Sequence, residues 1–155
     1  MGKIYDLGID VGSTTVKTVI LDEGEFIYNK YERHFSKVRE TVAEQLRTIR
    51  ELYPDDKFKI AITGSAGLGI AEASGISFVQ EVFSAFIAVN KKYPKADVVV
   101  ELGGEDAKII FLTGGVEQRM NGSCAGGTGA FIDQMAGLLG VTPDEMNDLA
   151  LKAEK

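Results

Sequence analysis

Two glycine-rich turns in this chain combine small residues, hydroxyls and carboxylates, which are the residue types that hold phosphate groups. The first lies within residues 8–17 and the second within residues 101–108. Glycine lets a phosphate approach the backbone closely, and the N–H groups of a tight turn attract anions. The pattern predicts a nucleotide site, with ATP as the expected ligand, in which both turns contact phosphate.

The first turn carries hydroxyl donors and a carboxylate. Asp10 ends an apolar run and is expected to hold Mg²⁺ through water, because magnesium keeps several waters and takes one or two carboxylates. Lys17 lies in the next apolar run and could reach a phosphate, although a solvated strand lysine is the equally open alternative. The predicted ATP ligands here are Asp10, Gly12, Ser13, Thr14, Thr15 and Lys17.

The second turn repeats this chemistry 91 residues later. Glu101 takes the place of Asp10 and is likewise expected to hold Mg²⁺ through water. Lys108 takes the place of Lys17, and it too could reach a phosphate or be a solvated strand lysine. Glu105 is a candidate catalytic carboxylate. The predicted ATP ligands here are Glu101, Gly103, Gly104 and Asp106.

A shift of 91 residues aligns the two segments without a gap. The identical residues include a glycine in the turn and a lysine at the start of the next strand. The spacing favours a structural duplication, with two unrelated hairpins of similar turn chemistry as the alternative. The identical pairs are Asp6 and Asp97, Gly12 and Gly103, Lys17 and Lys108, Leu21 and Leu112, and Gly24 and Gly115.

The only cysteine, Cys124, lies in a glycine-rich segment just before a predicted helix. The N–H groups and the dipole of a helix N-terminus favour a thiolate, so a functional cysteine is expected. A single cysteine cannot hold an iron–sulfur cluster, which normally has four thiolate ligands. If Cys124 is a cluster ligand, the others come from another chain or from residues outside this sequence.

Composition and missing motifs argue against several other classes. The formal net charge of −6 disfavours a nucleic-acid or anionic-membrane surface, which needs a basic face. No apolar stretch approaches the ~20 residues of a membrane span, and Asp6 and Asp10 interrupt the first apolar run, so no secretory leader is expected. A cytoplasmic location is the simplest prediction.

Two other common nucleotide-binding motifs are missing. The sequence lacks the Gly-Lys-Ser/Thr of a P-loop and the Gly-x-Gly-x-x-Gly dinucleotide motif.

Hydrophobic periodicity predicts an α/β fold that positions these turns. Three antiparallel strands start the chain, and helices and strands alternate after them. The predicted strands are residues 4–10, 15–21, 25–32, 58–63, 76–80, 96–102, 107–112 and 116–120. The predicted helices are residues 36–53, a short helix after the loop 64–69, residues 82–93 and 130–139, and one that starts near Thr142. Two domains are predicted: residues 1–95 with the first turn, and residues 96–155 as the start of a second lobe with the second turn and the cysteine segment.

Two features are given no role in the site. His34 has no cysteine or histidine partner nearby and is expected to be exposed. The glycine-rich loop 64–69 is expected only to turn the chain.

Three segments together resemble the ATP-dependent activators of 2-hydroxyacyl-CoA dehydratases and the related ATP-binding subunits of benzoyl-CoA reductases. They are Gly-Ile-Asp-Val-Gly-Ser-Thr-Thr from Gly8, Glu-Leu-Gly-Gly-Glu-Asp from Glu101, and Asn-Gly-Ser-Cys-Ala-Gly-Gly-Thr-Gly-Ala-Phe from Asn121. The Cys-Ala-Gly-Gly-Thr-Gly element is the most specific part. The turns alone would imply only the wider actin-like ATPase superfamily.

The resemblance implies a ribonuclease-H-like (actin-like ATPase) fold with a mixed sheet, antiparallel strands 1–3, flanking helices and two lobes that close on ATP. It implies a homodimer that shares one 4Fe-4S cluster, with Cys124 as a ligand and a second cysteine expected beyond residue 155. ATP hydrolysis would drive one-electron transfer to a dehydratase or related CoA-ester reductase, with reduced ferredoxin or flavodoxin as the electron donor. The chain is then expected to be a fragment with little ATPase activity by itself.

Two other functions stay open. Actin-like sugar kinases carry an Asn-Asp-Ala with a catalytic aspartate where this chain has Val-Gln-Glu-Val from Val79. Glu81 stands there as a candidate catalytic residue that would position a water rather than a sugar hydroxyl.

The chain also departs from the activator pattern. Typical activators carry Asp and Gln where this chain has Glu101 and Glu105. A regulatory or docking module without turnover is the non-enzymatic alternative.

Overall fold

The computed structural model describes residues 2–115, 117–121 and 127–153. The chain divides into two compact units, Met1–Lys92 and Tyr93–Lys155. Each unit has its own sheet and contains one of the two glycine-rich turns. Over these described ranges, no helix is both long and apolar enough to cross a bilayer.

The first unit is a mixed sheet with helices, in the predicted order of elements. These are β1 (Ile4–Val11), β2 (Thr15–Asp22), β3 (Glu25–Arg33), α1 (Val38–Leu52), β4 (Lys57–Thr63), α2 (Leu68–Ser74), β5 (Ser77–Phe78) and α3 (Glu81–Lys92). The strand order in the sheet is β3-β2-β1-β4-β5. The first three strands are antiparallel, as predicted, whereas β4 runs parallel to β1 and β5 runs parallel to β4.

The core of the first unit is built from alternate residues of its strands. In β1, Leu7, Ile9 and Val11 are no more than 2% exposed, because successive side chains of a strand point to opposite faces. The helix α1 contributes Val42 and Ile49 to the same cluster, at the spacing of two helical turns. This packing fixes the ends of β1 and β2, and so the turn between them.

The second unit begins with a three-stranded antiparallel sheet and continues with two helices. Its elements are β6 (Val98–Leu102), β7 (Ala107–Phe111), β8 (Glu117–Met120), α4 (Gly129–Leu139) and α5 (Pro143–Leu151). A capping box starts α5, in which Thr142 Oγ1 accepts from Glu145 N–H and Thr142 N–H donates to the Glu145 carboxylate. The bond from the Thr142 backbone holds the pKa of Glu145 below its ordinary value.

Two strands are at least two residues shorter than the apolar pattern predicts. β5 is only Ser77–Phe78, because the chain turns away from β4 after Val79 and enters α3 at Glu81. β6 begins at Val98 instead of residue 96, because the Ala96 N–H closes a turn on the Tyr93 carbonyl. Hydrophobicity alone does not reveal where the chain turns at either end.

Candidate nucleotide-phosphate site

The first turn joins β1 to β2 through Ser13 and Thr14. The Gly12 N–H donates to the Thr15 carbonyl at 2.9 Å and closes the turn. Among the hydrogen bonds of the described residues, none uses the backbone N–H of Ser13 or Thr14. Ser13 is exposed and Thr14 is half-buried. The tip of the turn therefore offers N–H and hydroxyl donors of the kind that bind phosphate oxygens.

A carboxylate and an ammonium group face each other at the base of this turn. Asp10 is paired with Lys17 across the strands, and Lys17 Nζ lies 2.7 Å from Asp10 Oδ2. The same Nζ lies 5.6 Å from the centre of the Tyr31 ring, within the range of a cation–π contact. The side chains of Lys17 and Asp10 are 41% and 32% exposed. Lys17 is thus partly solvated, and its charge is directed at the carboxylate that is predicted to face Mg²⁺.

The second turn is constructed in the same way. The Gly103 N–H donates to the Asp106 carbonyl at 2.8 Å, and Glu101 is paired with Lys108 across β6 and β7. Lys108 Nζ lies 3.6 Å from Glu101 Oε1, and the Lys108 side chain is only 10% exposed. The alternative of a solvated strand lysine is therefore wrong for Lys108. Glu105 lies exposed at the tip of the turn.

The 91-residue spacing extends from the turns into the rest of the backbone. The closing hydrogen bonds, the opposed carboxylate–lysine pairs and the strand registers of the two hairpins coincide at this shift. The helices α1 and α4 begin at Val38 and Gly129, again 91 residues apart. Two residues before each helix the backbone is left-handed, with φ of 65° at Ser36 and 72° at Gly127. Agreement at these separate points favours a duplication over two unrelated hairpins.

Other parts of the first unit converge on the carboxyl end of β1. Asp10 lies opposite Thr63, the last residue of the parallel strand β4. The next residue, Gly64, has φ of 98° and packs so closely on Val11 that a side chain there would clash with the Val11 backbone. The Ala66 N–H donates to the Val11 carbonyl at 2.9 Å. The loop after β4 therefore packs beside the first turn, at the strand ends where open α/β sheets bind ligands.

Glu81 is held at this same edge of the sheet. The Ser65 N–H donates to Glu81 Oε1 at 2.9 Å. One turn further along α3, Ser84 Oγ lies 3.5 Å from Thr63 Oγ1. A cavity of about 320 Å³ adjoins these residues; its lining is mainly apolar and includes Asp10, Lys17, Thr63 and Ser84. The first unit thus brings Asp10, Lys17 and the start of α3 to one place.

The second turn is bonded to the start of α4. The N–H groups of Gly129 and Ala130 donate to the carbonyls of Gly103 and Gly104, both at 2.9 Å. These are two of the N–H groups that the first turn of a helix leaves without an intrahelical partner. A side chain at Gly129 would lie 3.2 Å from the Gly103 oxygen, so glycine permits this approach. The helix that follows the cysteine segment is therefore bonded to the turn, whereas Cys124 itself lies outside the described residues.

The groups at the first turn fit a nucleotide with magnesium. The tip supplies N–H and hydroxyl donors for phosphate, and the partly exposed Asp10 carboxylate suits a hydrated Mg²⁺. Within the described part of the chain, no group of three or more His, Cys, Asp or Glu side chains could hold a metal ion. Magnesium would therefore take most of its ligands from water and phosphate. A 4Fe-4S cluster does not fit this chain alone, because Cys124 is its only cysteine.

His34 is the residue near the site that sequence reasoning missed. The prediction that it is exposed is wrong, because it is only 6% exposed. Nε2 lies 3.2 Å from the Gly12 carbonyl oxygen, and Nδ1 accepts from the Ser36 N–H at 3.1 Å. The contact with Gly12 spans 22 residues of sequence. No local pattern signals it, because the pairing of β2 with β3 brings the end of β3 to the turn.

Known proteins that are similar to this chain include three activators of CoA-ester dehydratases. The (R)-2-hydroxyglutaryl-CoA dehydratase activating ATPase of Acidaminococcus fermentans is 33% identical over 98% of this chain and 60% of its own length. The activator of lactoyl-CoA dehydratase of Anaerotignum propionicum is 34% identical over 94% of this chain and 58% of its own length. The activator of the 2-hydroxyisocaproyl-CoA dehydratase from Clostridium difficile, solved with bound ADPNP, superposes with a TM-score of 0.82 at 27% identity, over 97% of this chain and 58% of that chain. The chain thus spans about 60% of the length of such relatives.

These similarities agree with the architecture of the two units. The mixed sheet with its antiparallel start and flanking helices has the ribonuclease-H-like fold of actin-like ATPases, as predicted from the sequence. The model of the BadF/BadG/BcrA/BcrD ATPase family matches residues 7–155, a stretch that contains both turns and the cysteine segment. Because that match leaves out only the first six residues, the chain belongs to the BadF/BadG/BcrA/BcrD ATPase family.

Proposed function

We propose that this chain provides the phosphate-binding turns of an ATP-dependent activase for a 2-hydroxyacyl-CoA dehydratase or a related CoA-ester reductase. The duplicated turn carries the proposal, because its closing hydrogen bond and its opposed carboxylate–lysine pair recur 91 residues apart. Relatives named as dehydratase activators support it, and one of them was solved with ADPNP bound.

In this proposal the turns bind the phosphates of ATP. Glycine at the start of each turn leaves room for a phosphate to approach, and the donors at the tips of the turns face it. The proposed ligands are Gly12, Ser13, Thr14, Thr15 and Lys17 in the first turn, and Gly103, Gly104 and Asp106 in the second.

Asp10 and Glu101 would hold magnesium through water. In the structure a lysine faces each carboxylate, at 2.7 Å for Asp10 and 3.6 Å for Glu101. MgATP brings a cation for the carboxylates and an anion for the lysines. When the nucleotide binds, each carboxylate would exchange its lysine for the magnesium ion, and each lysine would exchange its carboxylate for a phosphate. No charged group would then be left without a partner, which would be unfavourable.

Glu81 and Glu105 are the proposed catalytic carboxylates. The Ser65 N–H fixes the orientation of the Glu81 carboxylate at the edge that also holds Asp10. A carboxylate in a fixed orientation can direct a water at a terminal phosphate, which is the main task of the protein in phosphoryl transfer. Glu105, exposed at the tip of the second turn, would act on a phosphate bound at that turn.

Cys124 is proposed as one ligand of a 4Fe-4S cluster that two copies of the protein share. The cluster supplies one-electron chemistry when bound, and reduced ferredoxin or flavodoxin would deliver the electron. The helix α4 begins five residues after Cys124 and bonds to the carbonyls of the second turn. A displacement of that turn by nucleotide would therefore reach the segment that carries the cysteine.

Titration of the chain with MgATP by calorimetry tests the phosphate site. Asp10→Asn is expected to weaken MgATP binding by about tenfold or more, because a hydrogen bond or ion contact to a charged group is lost. Asp6→Asn is the matched control, because Asp6 lies exposed on the same strand, and its affinity for MgATP is expected to be that of the wild type. Absence of MgATP binding in the wild type, or equal losses in the two variants, would contradict the site.

A further inference from the structure

His34 is a buried polar residue that has no part in the proposed ligand set. Its Nδ1 accepts from the Ser36 N–H at 3.1 Å, so the ring proton of the neutral imidazole lies on Nε2. Nε2 then donates to the Gly12 carbonyl, at 3.2 Å. Both ring nitrogens have a backbone partner, and one of these partners belongs to the first phosphate turn.

The backbone of His34 contacts the same turn. Its N–H donates to the Thr14 carbonyl at 3.2 Å. One residue therefore holds the carbonyls on either side of the tip, those of Gly12 and Thr14. Because a trans peptide is planar, a fixed Gly12 carbonyl fixes the Ser13 N–H in the opposite direction. His34 thus directs the Ser13 N–H away from its own ring.

The two residues after His34 have a strained backbone conformation, and this conformation supports the contact between Ser36 and the ring. Phe35 and Ser36 both have positive φ, 45° and 65°, which is unfavourable for residues other than glycine. The Lys37 N–H donates to the His34 carbonyl at 2.7 Å and closes this turn. The left-handed pair places the Ser36 N–H on Nδ1 and so sets the ring orientation. Strain that the surrounding bonds maintain is typical of residues with a local function.

The second copy holds the equivalent carbonyl by other means. Gly103 corresponds to Gly12, and its carbonyl accepts from the Gly129 N–H at 2.9 Å. Gly127, with φ of 72°, stands at the position of Ser36. Among the described residues, the Gly12 carbonyl therefore bonds to a side chain just before α1, whereas the Gly103 carbonyl bonds to the backbone of the first residue of α4.

We infer that His34 is a positioning residue, whose Nε2–H holds the Gly12 carbonyl and thereby orients the turn for the phosphates of a nucleotide. This inference rests on the proposed binding of ATP. His34 touches no ligand itself, and its effect reaches the nucleotide through the peptide between Gly12 and Ser13.

Two amide variants test the two ring contacts separately. In His34→Gln the side-chain amide reaches the position of Nε2, so a donor to the Gly12 carbonyl is kept. In His34→Asn the shorter amide reaches only the position of Nδ1, so the acceptor for the Ser36 N–H is kept and the donor to Gly12 is lost. His34→Gln is expected to bind MgATP within about threefold of the wild type. His34→Asn is expected to bind it about 5- to 10-fold more weakly, the usual effect of one lost hydrogen bond. Calorimetric titration measures both.

Hydrogen exchange of the Gly12 amide, whose N–H closes the turn on the Thr15 carbonyl, provides a second measurement in the nucleotide-free chain. Because the turn opens more often when the Gly12 carbonyl loses its partner, His34→Asn is expected to exchange there at least about fivefold faster than the wild type, and His34→Gln at nearly the wild-type rate. Unchanged exchange in the Asn variant, equal losses of affinity in the two variants, or a larger loss in the Gln variant would overturn the inference. If His34→Asn does not fold, a loss of MgATP affinity above tenfold in His34→Gln is enough by itself to overturn the inference about His34.

The two readouts keep this inference distinct from the function on which it rests. A wild-type chain that binds no MgATP would refute the phosphate site. The exchange rate of the Gly12 amide would still decide whether His34 holds the turn.

Discussion

At the scale of residues, the two lysines at the bases of the turns show how burial changes the role of one side-chain type. Lys17 and Lys108 occupy equivalent positions, each opposite a carboxylate. The Lys17 side chain is 41% exposed, whereas that of Lys108 is 10% exposed. The apolar stem of a lysine can contribute to packing while its ammonium group finds a partner. Lys108 is therefore expected to matter for stability as well as for charge.

Lys108→Ala is expected to lower the free energy of unfolding by about 1–2 kcal/mol, because it removes a buried stem from the second unit. Lys17→Ala is the matched control and removes a partly exposed ion pair, which contributes less than about 1 kcal/mol. Urea denaturation of both variants measures the difference. Equal losses, or a larger loss for Lys17→Ala, would show that burial does not distinguish the two lysines.

At the scale of elements, α4 begins with a glycine, and because this residue has no side chain the start of the helix can lie close to the second turn. Gly129 is the first residue of α4, and its N–H bonds to the Gly103 carbonyl at 2.9 Å. An added Cβ would lie 3.2 Å from that oxygen and 3.4 Å from the Gly104 Cα. Gly137 lies in the same helix with open space around it. The two glycines therefore allow a matched comparison.

Gly137→Ala is expected to raise the stability of the second unit by about 0.5–1 kcal/mol, because alanine favours the helix interior. Gly129→Ala is expected to show no such gain and to weaken MgATP binding several-fold, because its methyl group pushes against the second turn. Thermal denaturation and MgATP titration measure the two effects. A gain in stability with unchanged affinity in Gly129→Ala would mean that the turn tolerates the displacement.

At the scale of the whole molecule, the two copies share a hairpin but differ in what covers it. Three alternate residues of β1 are almost fully buried, and β4 lies parallel to that strand. The equivalent residues of β6 are 44–63% exposed, and in the described part of the second unit β6 pairs with β7 alone. The residues compared are Leu7, Ile9 and Val11 in β1, and Val98, Val100 and Leu102 in β6. The same hairpin is thus buried in the core of the first unit, whereas in the second unit one face of its first strand is exposed.

The proposed coupling of ATP to electron transfer is tested on the longer protein that the relatives imply, because one cysteine per copy is too few for a 4Fe-4S cluster shared by two copies. After anaerobic reconstitution with iron and sulfide, it is expected to show the absorption and paramagnetic resonance of a 4Fe-4S cluster. Cys124→Ala is expected to lose these signals and to keep its affinity for MgATP. A cluster that survives the substitution unchanged would remove Cys124 from the ligand set.

ATP turnover distinguishes the activase from the kinase alternative. Turnover that a sugar stimulates would favour the kinase, whereas turnover that depends on a dehydratase would favour the activase. The isolated chain is expected to turn over less than ~1 ATP per second, below an ordinary enzyme rate.

The sequence by itself determined the order of elements, the mixed α/β architecture and the chemistry of the two turns. Each depends on residues that are close in the chain: strand and helix periods, turn residues, and a repeat of constant spacing. Asp10 and Lys17 fall opposite each other because a two-residue turn sets the register of its hairpin.

The tertiary structure decided which of these groups are held in place. His34 is buried because β3 returns to the turn 22 residues away, and Glu81 meets Ser65 across 16 residues. Lys108 is buried although the equivalent Lys17 is not. Burial and hydrogen bonding between distant segments depend on packing, whereas the ability of a residue to bind phosphate depends on its own chemistry.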